Sequence, residues 1–143
     1  MMHAGPASQP RRASVLRPWM RVVLWIAGVY NLLAGLTMLV FYHEGFKLLG
    51  LAKPAFVMPV QLVGVLVGIF GVGYLLVARD PLTNRNILAL GAASKTLGPL
   101  LACWYIAIGV LPAMFLVVLF WADLVYVPPF LVIWRHLRRI ARG

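Results

Sequence analysis

Four strongly polar side chains stand inside otherwise apolar runs of this chain: Asn31, Gln61, Lys95 and Asp123. Lys95 and Asp123 carry opposite charges. Together they could form a buried ion pair, hold a proton or bind a small polar solute. In hydrocarbon an unpaired ionisable group costs at least about 2.5–3.5 kcal/mol, and such groups are functional-site candidates by default. Two readings stay open. The pair locks helix register, as buried polar groups can, or it serves a ligand, proton or substrate; the register lock ranks first. The sequence offers no Ser-His-Asp set, no His–carboxylate cluster and no Gly-rich phosphate loop. His3, His43 and His136 are scattered without metal-ligand spacing. No catalytic residue, metal or cofactor is therefore expected, and an enzyme is the less favoured class. The single Cys103 cannot pair within the chain and reads as a buried, inert small hydrophobe.

The elements that position these groups must be membrane helices. The chain has 143 residues, of which 63% are hydrophobic and 11% charged, with a mean hydropathy of +0.93. A soluble domain is about half apolar and about a quarter charged. One water-soluble core in so short a chain could not hide this much apolar surface. Soluble enzyme, secreted disulfide scaffold and disordered tail are excluded. A transmembrane helix needs about 20 mostly apolar residues, and four windows qualify: 22–42, 57–78, 86–109 and 112–134. Strands are rejected because the runs are long and lack alternation. The expected fold is all-α, an integral membrane four-helix bundle. Residues 1–17 read as a disordered basic tail, and residues 18–143 as the transmembrane domain with a short basic C-terminal tail. Arg11-Arg12 resembles an export signal, but the long apolar run after it has no clean small-residue cleavage site and reads as an uncleaved span.

Each boundary carries punctuation. His43-Glu44-Gly45 closes the first window, and Lys53-Pro54 and Pro59 bracket the second. Arg79-Asp80-Pro81 ends it, since a residue before proline avoids the helical region. Asn84 is placed to cap the third window. Gly109 to Pro112 reads as a tight turn into the fourth, with Pro112 near a first helical position. The loop residues Arg79, Asp80 and Arg85 carry both charge signs, so Asp80 is expected to pair with one of the arginines.

Lys and Arg total 13 against 3 Asp and Glu, a net charge of +10. This charge does not indicate nucleic acid, because no separate basic domain carries it. All ten arginines (residues 11, 12, 17, 21, 79, 85, 135, 138, 139 and 142) fall on one side of a four-span chain. The other side holds Lys47 and Lys53. By the positive-inside rule both termini are cytoplasmic. Trp19 and Trp134 then mark the cytoplasmic interface, and Tyr42, Trp104 and Tyr105 the outer one. The basic run 135–142 is expected to continue the fourth helix, as a topology anchor first and an attractor of anionic lipid second.

Helical spacing puts small residues on the faces that carry the polar groups. Gly28 and Gly35 share a stripe with Asn31; Gly64, Gly68 and Gly71 share one with Gln61; Gly91 and Gly98 share one with Lys95. Small residues let membrane helices approach closely, so these faces point inward and bring a network of Lys95, Asp123, Asn31 and Gln61 with them. At the helical rise, Lys95 lies about 14 Å and Asp123 about 16 Å into their spans, near the midplane. Asn31 shares that level. Pro99 leaves the Lys95 carbonyl without its usual donor, and Pro128-Pro129 do the same for Leu124 and Val125. Kinks there would expose backbone acceptors beside the charged pair. Trp121 and Tyr126 flank Asp123 and are further candidates to line a pocket.

The stretch from Gly73 through Tyr74 and Arg79-Asp80-Pro81, followed by Lys95 and then Asp123, resembles a set of small, mostly uncharacterised bacterial four-span membrane proteins that are similar to DoxX-like proteins. The resemblance implies a four-helix bundle in a bacterial inner membrane and carries over no catalytic residues. Three functions remain, in order of preference. The first is an accessory or structural subunit of a membrane complex; the partner expected, whichever reading holds, is a membrane protein or a second copy of this chain. The second is a small-solute or proton-coupled transporter using Lys95 and Asp123. The third is a lipid- or quinone-handling membrane enzyme.

Overall fold

The computed structural model describes residues 15–143. His3, Arg11, Arg12 and most of the expected N-terminal tail lie outside the described residues. The first span is α1 (Pro18–Val40), opened by a proline in its first turn, where the missing N–H costs nothing. It begins before residue 22 because Trp19 and Arg21 suit the interface as well as the helix. A short helix, α2 (Tyr42–Leu48), follows at once. His43-Glu44-Gly45, expected to close the first span, lies inside this helix. The stretch is helical because Glu44 in its first turn and Lys47 in its last complement the helix dipole, and its Phe46 turns inward.

Gly50 ends α2 at φ +64°. The Leu51 amide donates to Phe46 O at 3.0 Å and the Gly50 amide to Lys47 O at 3.2 Å, which is a Schellman closure. The same closure recurs at Gly109, φ +76°, where the Val110 and Gly109 amides reach Tyr105 O and Ile106 O. In both places a left-handed residue reverses the chain between spans, a conformation that glycine adopts without strain.

The second span is α3 (Met58–Arg79) and the third is α5 (Asn86–Ala107), joined by the single turn α4 (Pro81–Asn84). Asn84 does not cap α5. Its amide donates backwards, to Asp80 O at 3.0 Å and Leu76 O at 3.5 Å. The intervening turn α4 places it over the open end of α3 instead. Asp80 forms no ion pair among the described residues; the Arg85 guanidinium donates to the Leu82 carbonyl.

The fourth span is not one helix. Pro112 to Met114 form turns, α6 covers Phe115–Ala122, a 3-10 turn covers Leu124–Tyr126, and α7 runs over Val127–Ile140. The whole stretch Phe115–Ile140 is long and apolar enough to cross a membrane, as are the other three. The chain is thus a small all-α multi-pass membrane protein. The end of α7 carries Arg138 and Arg139 into the basic tail. His136 Nε2 lies 3.0 Å from Val15 O, joining the two ends of the described chain.

α1 and α3 pack backbone to backbone and antiparallel. A Cβ on Gly35 would stand 2.5 Å from Gly64 O, and one on Gly71 would stand 2.8 Å from Gly28 O. Gly68 contributes its own backbone to the same contact, its N lying 2.8 Å from that Gly35 position. Gly91 makes room for the Tyr74 ring, whose hydroxyl would be 2.5 Å from an added Cβ. Gly98 differs from the expected packing face: nothing lies within 4 Å of its Cβ position, and the Cβ position of Gly68 is equally open although its backbone packs on α1.

Leu119 on α6 is buried apart from the main cluster of buried apolar residues, which lies at the end of the bundle that holds the termini. Leu24, Ala27, Val77, Leu88, Phe130 and Ile133 are fully buried there. Toward the opposite end α6 diverges, and Leu97, Leu101, Trp104, Leu116 and Val117 are exposed. Cys103 is exposed as well, because the half of α5 that carries it has no neighbouring helix against it. Trp134 is half-buried against the core rather than free at an interface, with Arg138 stacked 4.6 Å from its ring.

Candidate functional site

The helices meet in one polar layer, and Lys95 is its centre. Its Nζ lies 3.0 Å from Asp123 Oδ1, 2.8 Å from Ala122 O and 3.4 Å from Asn31 Oδ1. An ammonium has three N–H donors, and the geometry supplies an acceptor for each. The Tyr126 ring lies 5.1 Å from the ammonium, within range of a cation–π attraction. Lys95 is 5% exposed and Asn31 4%. The Asp123 side chain retains 30% of its exposure.

Local sequence explains the Ala122 acceptor. In an unbroken α-helix the Tyr126 amide would donate to Ala122 O. Here it donates to Asp123 O at 3.0 Å, and the Val127 amide donates to Leu124 O. Pro128 and Pro129 have no N–H, so Leu124 and Val125 cannot make their usual bonds. The chain tightens to 3-10 geometry just before them. Asp123 takes up the break, at φ −128° and ψ −61°. The tightening releases Ala122 O, which turns to Lys95. One helix break thus delivers both a carboxylate and a carbonyl to the same ammonium.

Below this layer, on the side of the termini, lies an aromatic and aliphatic floor. Tyr126 stacks on Tyr30, with centroids 6.0 Å apart and planes at 27°. It also touches Phe130 at 5.9 Å, and Phe130 touches Tyr74 at 4.7 Å. Above the layer, at the opposite end, a cavity of about 620 Å³ opens between α1, α2, α3 and the start of α6. Tyr30 belongs to both, lying against Tyr126 and lining the cavity.

Three of the four expected network members come together. Gln61 does not. Its Nε2 donates to Leu39 O at 3.1 Å, a carbonyl about 12 Å along α1 from Asn31 at the helical rise. Gln61 opens its span while Asn31 sits midway along its own, so the antiparallel pairing puts them at different depths. Trp121 is exposed and packs edge-on against Phe120 rather than lining a pocket at Asp123. Tyr30 and the Ala122 carbonyl were not legible as site groups. Tyr30 does precede Asn31 at the level of Lys95, which is a signal of position. Among the described residues no group of three or more His, Cys, Asp or Glu side chains could hold a metal ion.

Comparison of the chain with protein-family models, with curated proteins and with solved structures gives no match.

Proposed function

We propose that this chain is an accessory subunit of a membrane complex, docking a partner helix on the uncovered face of α5. The single observation that carries the reading is the contrast between its glycines. Gly28, Gly35, Gly64, Gly71 and Gly91 are each met by a neighbour within 3.1 Å of the Cβ position, whereas Gly68 and Gly98 are met by nothing within 4 Å; Gly68 already lends its backbone to the α1 contact, and Gly98 is left exposed with no such use. Glycine inside a helix costs about 1 kcal/mol relative to alanine. Ser94 and Gly98 form a small-xxx-small pair, flanked by Leu97, Leu101 and Trp104, all exposed. Such pairs let a second helix approach closely.

The polar layer supports the same reading. Lys95 spends its donors on the chain's own groups, which suits a lock between α1, α5 and the fourth span. A solute or proton conduit would have to cross the buried floor of Phe130, Tyr74 and Leu24. The arginine segregation supports cytoplasmic termini, where the basic ends attract anionic lipid, and a bacterial inner membrane location is what the resemblance implies. The resemblance to DoxX-like four-span proteins fits this setting.

The test is purification from the native membrane in mild detergent, followed by native mass spectrometry of the wild type and Gly98→Leu. The expected result is a stoichiometric partner protein that Gly98→Leu releases while the bundle keeps its thermal stability. A lone bundle, a homo-oligomer, or a partner indifferent to Gly98→Leu overturns the proposal.

A further inference from the structure

We infer that the cavity above Tyr30 holds one acyl chain of an anionic phospholipid from the leaflet opposite the termini, with its phosphate at Lys53. Three observations lead there. The cavity wall on α1 runs from Tyr30 to Met38, about 12 Å at the helical rise, most of the depth of one leaflet in a core about 30 Å thick. Its volume of about 620 Å³ falls within the range of small-molecule sites, about 300–1,000 Å³. Its lining is dry: Leu33, Met38, Phe46 and Val63 supply apolar surface, and the Thr37 hydroxyl is already committed to Leu33 O at 2.9 Å.

The mouth supplies the charge. Tyr42 lines the rim, and the Lys53 ammonium stands 5.2 Å from its ring centroid. Lys47 lies on α2, which forms one wall through Gly45 and Phe46. Lys47 and Lys53 are the only Lys or Arg residues between α1 and α3; α2 also carries Glu44, so Lys53, beside the rim residue Tyr42, is the cation that the slot offers to a headgroup. An amphiphile with one apolar chain and an anionic head matches both parts. A zwitterionic phospholipid offers the same phosphate, but its own ammonium offsets that charge, so it matches the rim less well.

The probe is phosphatidylglycerol bearing a photoactivatable group midway along one acyl chain, reconstituted with the full-length protein in phosphatidylcholine vesicles. Cross-linked residues are mapped by mass spectrometry. Labelling is expected to concentrate on Leu33, Met38 and Phe46 and to be lost in Val63→Trp, where an exposed wall residue is enlarged into the slot. Lys53→Gln is expected to lower phosphatidylglycerol retention by about fivefold, the equivalent of the roughly 1 kcal/mol one basic residue contributes at an anionic surface. Labelling spread evenly over the cavity and the exposed face of α5 means ordinary boundary lipid and overturns the inference. So does equal retention of phosphatidylcholine, or cross-linking unchanged by Val63→Trp. None of these outcomes bears on whether a partner helix docks at Gly98.

Discussion

The Lys95 ammonium and the Asp123 carboxylate stand 3.0 Å apart in a layer between a packed half-bundle and an open one. α5 brings the first and a helix break brings the second. The pair ties the third span to the fourth at the point where the fourth stops being a helix. Removing Asp123 leaves the Lys95 ammonium buried and without its counter-charge; removing Lys95 leaves a carboxylate that is 30% exposed.

Asp123→Asn, which strands the buried Lys95 ammonium, should destabilise the bundle by up to about 3–5 kcal/mol, and Lys95→Met by less, because the Asp123 carboxylate is partly exposed. The double variant should lose much less than the sum. Unfolding in detergent by SDS titration measures the cycle. Strict additivity would show that the two side chains do not interact.

Asn31 contributes a longer bond, 3.4 Å, to the same ammonium. Asn31→Leu should cost about 0.6–1.7 kcal/mol, the range measured for interhelical hydrogen bonds in membranes. The ranking is the informative part of the same titration: a loss as large as that of Asp123→Asn would make Asn31 an equal member of the lock.

Glycine substitutions should divide sharply. Gly35→Ala drives a methyl into the Gly64 carbonyl, an overpacking that typically costs about 1–3 kcal/mol. Gly98→Ala meets nothing within 4 Å and gains helix propensity, so it should stabilise the isolated bundle by up to about 1 kcal/mol. Thermal unfolding of both variants in detergent decides this. Equal losses would mean that the α5 face is packed by the chain itself.

Orientation is open to a direct test in a Cys103→Ser background. Thr83→Cys lies in the loop of arginines and Ala52→Cys in the loop before α3, both exposed. An impermeant maleimide applied to intact cells should label position 52, and position 83 only after lysis. The opposite pattern would place both termini outside.

Four spans follow from composition and window length alone, because hydrocarbon forces every backbone polar group to be satisfied within a helix. The level shared by Lys95, Asp123 and Asn31 is likewise a count of residues at a constant rise. The prolines at 128 and 129 signal freed acceptors near Asp123 from the sequence alone. Local counting went wrong where a group chooses among neighbours that the sequence does not order. Asn84 had two helix ends within reach and took the one behind it. Gln61 shares a helical stripe with the glycines, yet the antiparallel register of α1 and α3 sets it against Leu39 O.

Two features were decided only by the tertiary structure. One is which carbonyl reaches Lys95: Pro128 and Pro129 predict the loss of two donors, but the released acceptor at Ala122 depends on how the chain above them tightens. The other is the asymmetry of the bundle, closed at the end of the termini and open at the other. Apolar residues look alike in sequence whether they face a helix or lipid, since both environments are equally dry. Only the divergence of α6 separates the buried face of Leu88 and Ala92 from the uncovered face of Gly98 and Trp104.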